Sequence, residues 1–277
     1  MKLKLHELDR RWIFLFILIG VAVPLLIPFG LEIEVTPNVQ KVYDLVEAAQ
    51  PGDRVLFSFD YDPSSKPEIQ PATIAMMKHA LDKELRIVCL ALWPMGVSLA
   101  EEIYNDNELS DRFEYGVNFI NLGYKVGGLV AIQAMGKDFR EVFPRDYAGQ
   151  TINNFQIMDG VRNFSDFYMV ASLSAGTPGM LEWIMTAGDN YGLHVTGSTT
   201  AVSTPGFLPY INERNQLHGL VGGLKAAAEY EKLIGVKGTA TSGMDAQSIA
   251  HLIIILFILV GNISWHLAKR KKSEKGA

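Results

Sequence analysis

The chain has 277 residues, 48% of them hydrophobic and 20% charged, with a formal net charge of −5, six histidines and one cysteine. That charge is unevenly spread: residues 1–11 carry +2 and residues 268–277 carry +4, leaving −11 between them. So acidic a middle has no attraction for nucleic acid or anionic headgroups, and a lone cysteine excludes an internal disulfide.

Lys2, Lys4, Arg10 and Arg11 precede a first apolar segment, Trp12–Leu31. Lys269, Arg270, Lys271, Lys272 and Lys275 follow a second, Ile249–Leu267. Neither segment contains Asp, Glu, Lys or Arg, and each is long enough to cross a hydrocarbon core of roughly 30 Å as a helix. Basic residues beside a span favour the cytoplasmic side, and here both flanks agree. The sequence therefore predicts a cytoplasmic tail (1–11), a transmembrane helix (12–31), an extracytoplasmic domain (32–245), a second transmembrane helix (246–267) and a basic cytoplasmic tail (268–277). The expected location is the cell (inner or plasma) membrane, with the bilayer as first partner. A basic start before an apolar run also fits a cleaved signal peptide, but Ile27–Glu32 has no small-x-small cleavage pattern, which favours an uncleaved anchor.

Within the middle, Thr36-Pro37 marks a helix start, and Val39, Val42, Leu45, Val46 and Ala49 recur at helical spacing up to the turn Gln50-Pro51-Gly52-Asp53. A compact apolar strand, Arg54–Phe59, precedes a helix over Pro71–Lys83. A second strand over Arg86–Leu92 contains Cys89 as a packed small hydrophobe. A helix over Val97–Asn105 and a third strand over Val117–Leu122 come next. Gly127, Gly128, Gly136, Pro144 and Gly149 break up residues 125–164, which read as an insertion or a cap over the sheet edge. A fourth strand, Phe167–Leu173, leads to a helix from Pro178 to Asn190, and a fifth over Leu193–Val202 precedes a last helix over Tyr210–Ile234. Strands that are almost continuously apolar, each followed by a helix, predict an α/β domain: a three-layer, doubly wound, mostly parallel sheet of about five strands, flanked by the two transmembrane helices. Gly176-Thr177-Pro178-Gly179-Met180-Leu181 is echoed by Ser203-Thr204-Pro205-Gly206-Phe207-Leu208. Each follows a strand, so both belong at one edge of the sheet.

Ligands in such sheets bind beyond the carboxyl ends of the strands. Asp60 and Asp62, just past the first strand, are the candidate catalytic pair: two carboxylates there can hold a hard cation, or one can attack phosphorus while the other acts as acid and base. Over about ten residues this Asp-x-Asp resembles the first motif of haloacid-dehalogenase-type phosphatases. The resemblance implies a hydroxyl, a lysine and an acidic residue in later motifs. Ser174, Lys125 and Asp189 are the residues available; Lys125 precedes Ser174, the reverse of that family's order, and Asp189 falls before a strand instead of after one. The turn Ser174–Gly179 is the candidate anion or ligand site, with Ser174, Gly176, Thr177 and Gly179 offering small residues and backbone amides, and Lys125 the cation. It is neither a Walker loop nor a Gly-x-Gly-x-x-Gly fingerprint. His79, His194 and His218 have no zinc spacing, so no metal is assigned, and no motif names a cofactor. Finally, Asn215–Ile234 is rich in small residues: Gly219, Gly222, Gly223, Ala226, Ala227 and Ala228 form a surface on which helices could pack closely, within the domain or between protomers. The reading that follows is a double-pass membrane protein displaying its domain for partner binding or self-assembly, as a homo-oligomer or with another membrane protein. The alternatives are a tethered phosphatase-like hydrolase using Asp60 and Asp62, or a small-molecule binding module.

Overall fold

The computed structural model describes residues 10–106 and 109–274; Lys2, Lys4 and Lys275 lie outside them. Two compact units divide the chain: residues 33–240 form one, and residues up to 32 together with those from 241 form the other.

The larger unit is built on six strands: β1 (Arg54–Asp60), β2 (Arg86–Ala91), β3 (Phe119–Tyr124), β4 (Met169–Ser174), β5 (His194–Thr199) and β6 (Val221–Gly222). Every pairing is parallel, and the order is 3-2-1-4-5-6, a Rossmann-like sheet whose direction of growth reverses between β1 and β4. Alternation along each strand divides the side chains between two faces. Leu56, Val88, Ile120, Val170 and Val195 enter one buried core with Ile132, Met135, Phe139 and Trp183. Phe57 and Phe59 take the opposite face of β1 and are equally buried. The helices of this unit are α2 (Pro37–Ala48), α3 (Lys66–Asp82), α4 (Gly96–Tyr104), α5 (Leu129–Lys137), α6 (Phe139–Val142), α7 (Met180–Trp183), α8 (Asp189–Tyr191), α9 (Thr204–Phe207) and α10 (Gly223–Leu233). A π-helical turn, Ile184–Gly188, joins α7 to α8 without a break.

The expected α/β class and parallel sheet are present, with six strands in place of about five. The sixth lies inside what reads as the start of the last helix. Gly219 (φ +106°) and Gly223 (φ +71°) adopt backbone conformations that end helical continuity, so only Gly223–Leu233 is helical. Thr36 also departs from expectation. Its hydroxyl and amide both donate to Glu229, at 2.7 and 2.8 Å, instead of capping α2, which gives that buried carboxylate its partners. Residues 125–164 do not sit over an edge. The chain must travel from β3, at one edge, past β2 and β1 to reach β4, and strands about 4.8 Å apart make that a long crossover. Ile132, Met135, Phe139, Phe143, Ile152 and Ile157 cover one face of the sheet on the way.

The smaller unit holds α1 (Arg10–Leu26) and part of α11 (Thr239–Glu274). Among the described residues only α11 is long and apolar enough to cross a membrane. The expectation of two such helices is therefore corrected. Helix α1 has 17 residues and stops at Leu26, because Pro24 removes a helical donor and Pro28 drives Ile27 away from helical backbone. Residues 28–36 follow without regular structure. The two helices touch: Gly20 lies against Ile249 and Ile253, and the rings of Phe16 and Phe257 are 5.9 Å apart. Beyond α1, the amides of Gly30 and Leu31 donate to the two oxygens of buried Asp245, at 2.7 and 2.9 Å.

Candidate functional site

Asp60 ends β1 and is fully buried. One oxygen accepts the Leu92 amide at 2.8 Å; the other accepts the Ser58 hydroxyl at 2.7 Å and the Trp183 indole N–H at 3.4 Å. Burial outweighs these donors and pushes the carboxyl up to about 7. Asp62 has the opposite surroundings. It is partly exposed and its Oδ1 accepts from the amides and hydroxyls of Ser64 and Ser65, which hold it below the usual carboxylate range. The first carboxylate thus fastens β1 to the segment after β2 and to α7, and the second closes the turn into α3. No shared group joins them. Among the described residues no set of three or more His, Cys, Asp or Glu converges as a metal site.

The loop after β4 lies beside the reversal point, since Asp60 and Ser174 are register partners. Its polar groups are mostly committed to the loop itself. The Ser174 hydroxyl donates to the Gly176 carbonyl at 2.9 Å, the Ala175 amide donates to the Asp60 carbonyl, and the Trp93 indole donates to the Pro178 carbonyl at 2.8 Å. The Thr177–Pro178 peptide is cis. Gly179 is required by contact, because a Cβ there would overlap the Ser174 hydroxyl oxygen. Its amide donates to Glu182 at 2.8 Å. That carboxylate occupies the place where an incoming anion would meet the start of α7, so the turn is poorly suited to anions.

The second loop of the sequence echo stands opposite the first. After β5, the Ser203 and Thr204 amides donate to the Thr200 carbonyl, and the chain turns into α9. Between the two loops is a pocket of about 320 Å³ lined by Ser174, Gly176, Thr177, Leu181, Ser203, Gly206, Phe207 and Tyr210. Both copies of the echoed motif therefore face one cavity beyond the carboxyl ends of β4 and β5. Leu181, Phe207 and Tyr210 give it apolar walls, with hydroxyls from Ser174, Thr177 and Ser203. Single-residue inspection of the sequence misses Phe207, Tyr210, Ser203 and Gly206; the echo itself is the signal that marks three of them.

Lys125 does not join this pocket. It lies after β3, where its ammonium donates to the Val142 carbonyl at 2.6 Å and sits 5.9 Å from the centre of the Phe143 ring. The histidines serve packing. His79 bridges Tyr230 and Glu47 at 2.8 and 2.9 Å while stacked on Tyr43, and burial lowers its proton affinity. His194 and His218 share one hydrogen bond of 3.0 Å. Cys89 is buried and its thiol is held well above its usual range by burial. The small residues of the last segment are also used internally. A Cβ at Gly219 would meet the Asn38 carbonyl, one at Gly223 would meet Ala201, and one at Gly222 would overlap Thr204. Ala226, Ala227 and Ala228 are buried. No known protein family, curated protein or solved structure matches the chain.

Proposed function

We propose that the chain is a membrane-anchored small-molecule binding module. Its α/β domain takes a neutral, largely apolar ligand in the pocket between the Gly176 and Gly206 loops. The observation that carries this reading is the convergence of two copies of one short motif on a single cavity at the carboxyl edge of a parallel sheet, where such folds place ligands. Among the described residues that line it only Tyr210 is ionisable, which together with Glu182 on the Gly179 amide favours an uncharged occupant. Gly206 supplies the test. A Cβ there meets nothing within 4 Å, so Gly206→Leu adds an apolar side chain at the pocket wall without displacing backbone. Ligand-detected NMR with indole as probe should show binding to the full chain in detergent and little or none to Gly206→Leu. Equal signals from the two proteins would rule the pocket out.

The anchor reading rests on α11, the helix long and apolar enough to cross a membrane. Large apolar side chains on α1 and α11, among them Leu18, Leu26, Leu252 and Leu256, are exposed, and Asp245 satisfies two backbone amides that hydrocarbon could not. The basic run 269–275, which follows the apolar stretch of α11, favours a cytoplasmic C-terminus, which puts the domain, on the other side of that stretch, outside the cell membrane. With Cys89 buried, Ala148→Cys introduces the only accessible thiol among the described residues. An impermeant maleimide should label it in intact cells; labelling only after lysis reverses the orientation.

A further inference from the structure

A second cavity, of about 400 Å³, lies beyond the carboxyl end of β3 and is bounded by Lys125 and by residues 142–147 of the long crossover to β4. Two cations line it, Lys125 and Arg145. Lys125 spends one of its three donors on the Val142 carbonyl, and Arg145 spends one of five on the Gly149 carbonyl at 2.8 Å. Among the described residues neither forms an ion pair, although the surrounding domain is strongly acidic. The carboxylates nearby are already occupied. Asp146, buried in the wall, accepts the Gln150 amide at 2.7 Å and the Tyr115 hydroxyl at 2.9 Å. Glu101, behind it, accepts the Asn121 amide group at 2.7 Å and the Tyr147 hydroxyl. Two tyrosines complete the rim, Tyr124 at 41% exposure and Tyr147 at 45%, which leaves ring surface free for stacking.

Five donors in a planar fork and a nearby ammonium suit an oxyanion, and tyrosine faces suit a flat ring. We propose that this pocket binds a small aromatic oxyanion, a flat ring carrying a phosphate or carboxylate, with Arg145 and Lys125 on the charged group and Tyr124 and Tyr147 on the ring. The site is separate from the one between the Gly176 and Gly206 loops and does not depend on it. It also accounts for Lys125, whose charge has no role at the β4 turn.

Calorimetric titration of the full chain in detergent tests the proposal, with adenosine monophosphate and 4-hydroxybenzoate as the charged probes, and adenosine and phenol as their neutral counterparts. At least one charged probe should bind about tenfold more tightly than its neutral counterpart, as one charge-assisted contact predicts. Arg145→Gln should weaken that binding by about tenfold and added salt should weaken it further. Gly206→Leu should leave it unchanged. Lys125→Gln, which also gives up the Val142 contact, serves as the second variant, with an unchanged melting temperature required of either before its affinity is read. If neither charged probe binds by about 10 mM, or if binding is indifferent to both Arg145→Gln and Lys125→Gln, the proposal is wrong.

Discussion

Asp60 makes the stability of the α/β domain depend on pH in the direction opposite to that of an ordinary paired carboxylate. Its carboxyl titrates near 7 in the fold, against 3.8 ordinarily, because burial penalises the anion more than Ser58, the Leu92 amide and the Trp183 indole favour it. At about 1.4 kcal/mol per tenfold change in proton affinity, ionisation in the fold is disfavoured by roughly 4 kcal/mol. The folded state holds this proton more tightly than the unfolded chain. The stabilisation is therefore complete below about pH 4, falls as pH rises, and is lost above about pH 7. Roughly 2–3 kcal/mol of it lies between about pH 5 and about pH 8. Urea unfolding of the full chain in detergent, followed by tryptophan fluorescence, measures it when wild type is compared with Asp60→Asn, whose side chain does not titrate. The stability of wild type relative to the variant should fall by that amount across the range. His79 and His218, whose proton affinities burial lowers, bias stability the other way as pH drops, but they are common to both proteins and cancel in the difference. Parallel profiles, within about 0.5 kcal/mol, would show that Asp60 does not carry the penalty its burial implies.

Gly179→Ala should lower the stability of the domain by about 1–3 kcal/mol, since the added methyl must displace the Ser174 hydroxyl or the loop backbone. A melting temperature equal to wild type would mean the loop has room that the contacts deny. Gly20→Leu should separate the two apolar helices where Ile249 and Ile253 now meet the glycine. Cysteines placed at Phe16 and Phe257, whose rings are neighbours, should then cross-link less efficiently than in the Gly20 background, and undiminished cross-linking would refute the packing.

The sheet was legible because burial on both faces leaves a strong trace. Arg54–Asp60, Arg86–Ala91 and Met169–Ser174 are almost wholly buried, and only a continuous apolar run satisfies such a place. The polar residues within them were harder to interpret. Asp60 reads as chemistry in the sequence, yet its partners come from β1 itself, from Leu92 and from Trp183, which are distant along the chain. The same holds for Thr36, whose true partner is Glu229. Local patterns identify a residue able to accept or donate; only the fold decides which group arrives. Strand β6 was invisible because two residues carry no periodicity. The crossover from β3 to β4 was opaque for a related reason: its short helices and 3₁₀ turns bury Phe139, Ile152, Ile157 and Phe164 one at a time, with no regular spacing to announce them. Arg145 and Tyr147 lie in that stretch, which is why the cavity they line could not be assembled from the sequence.

The glycine- and alanine-rich segment shows how one composition supports two readings until packing is known. Small residues permit close approach, whether the neighbour is another protomer or the domain's own backbone. Here the neighbours are internal: Asn38 and Val42 of α2 at Gly219, Thr204 at Gly222 and Ala201 at Gly223. The alanines of α10 are buried in the larger unit, where α10 packs on α3. Each small residue is therefore needed to form the domain, and none is left over to recruit a second copy. A homo-oligomer would have to use other surfaces, and most of the exposed large apolar side chains among the described residues lie on α1 and α11. In a bilayer, lipid satisfies that surface as well as protein does, so close helix association depends on small residues. Gly20 is already spent on α11, whereas a Cβ at Gly261 would meet nothing within 4 Å.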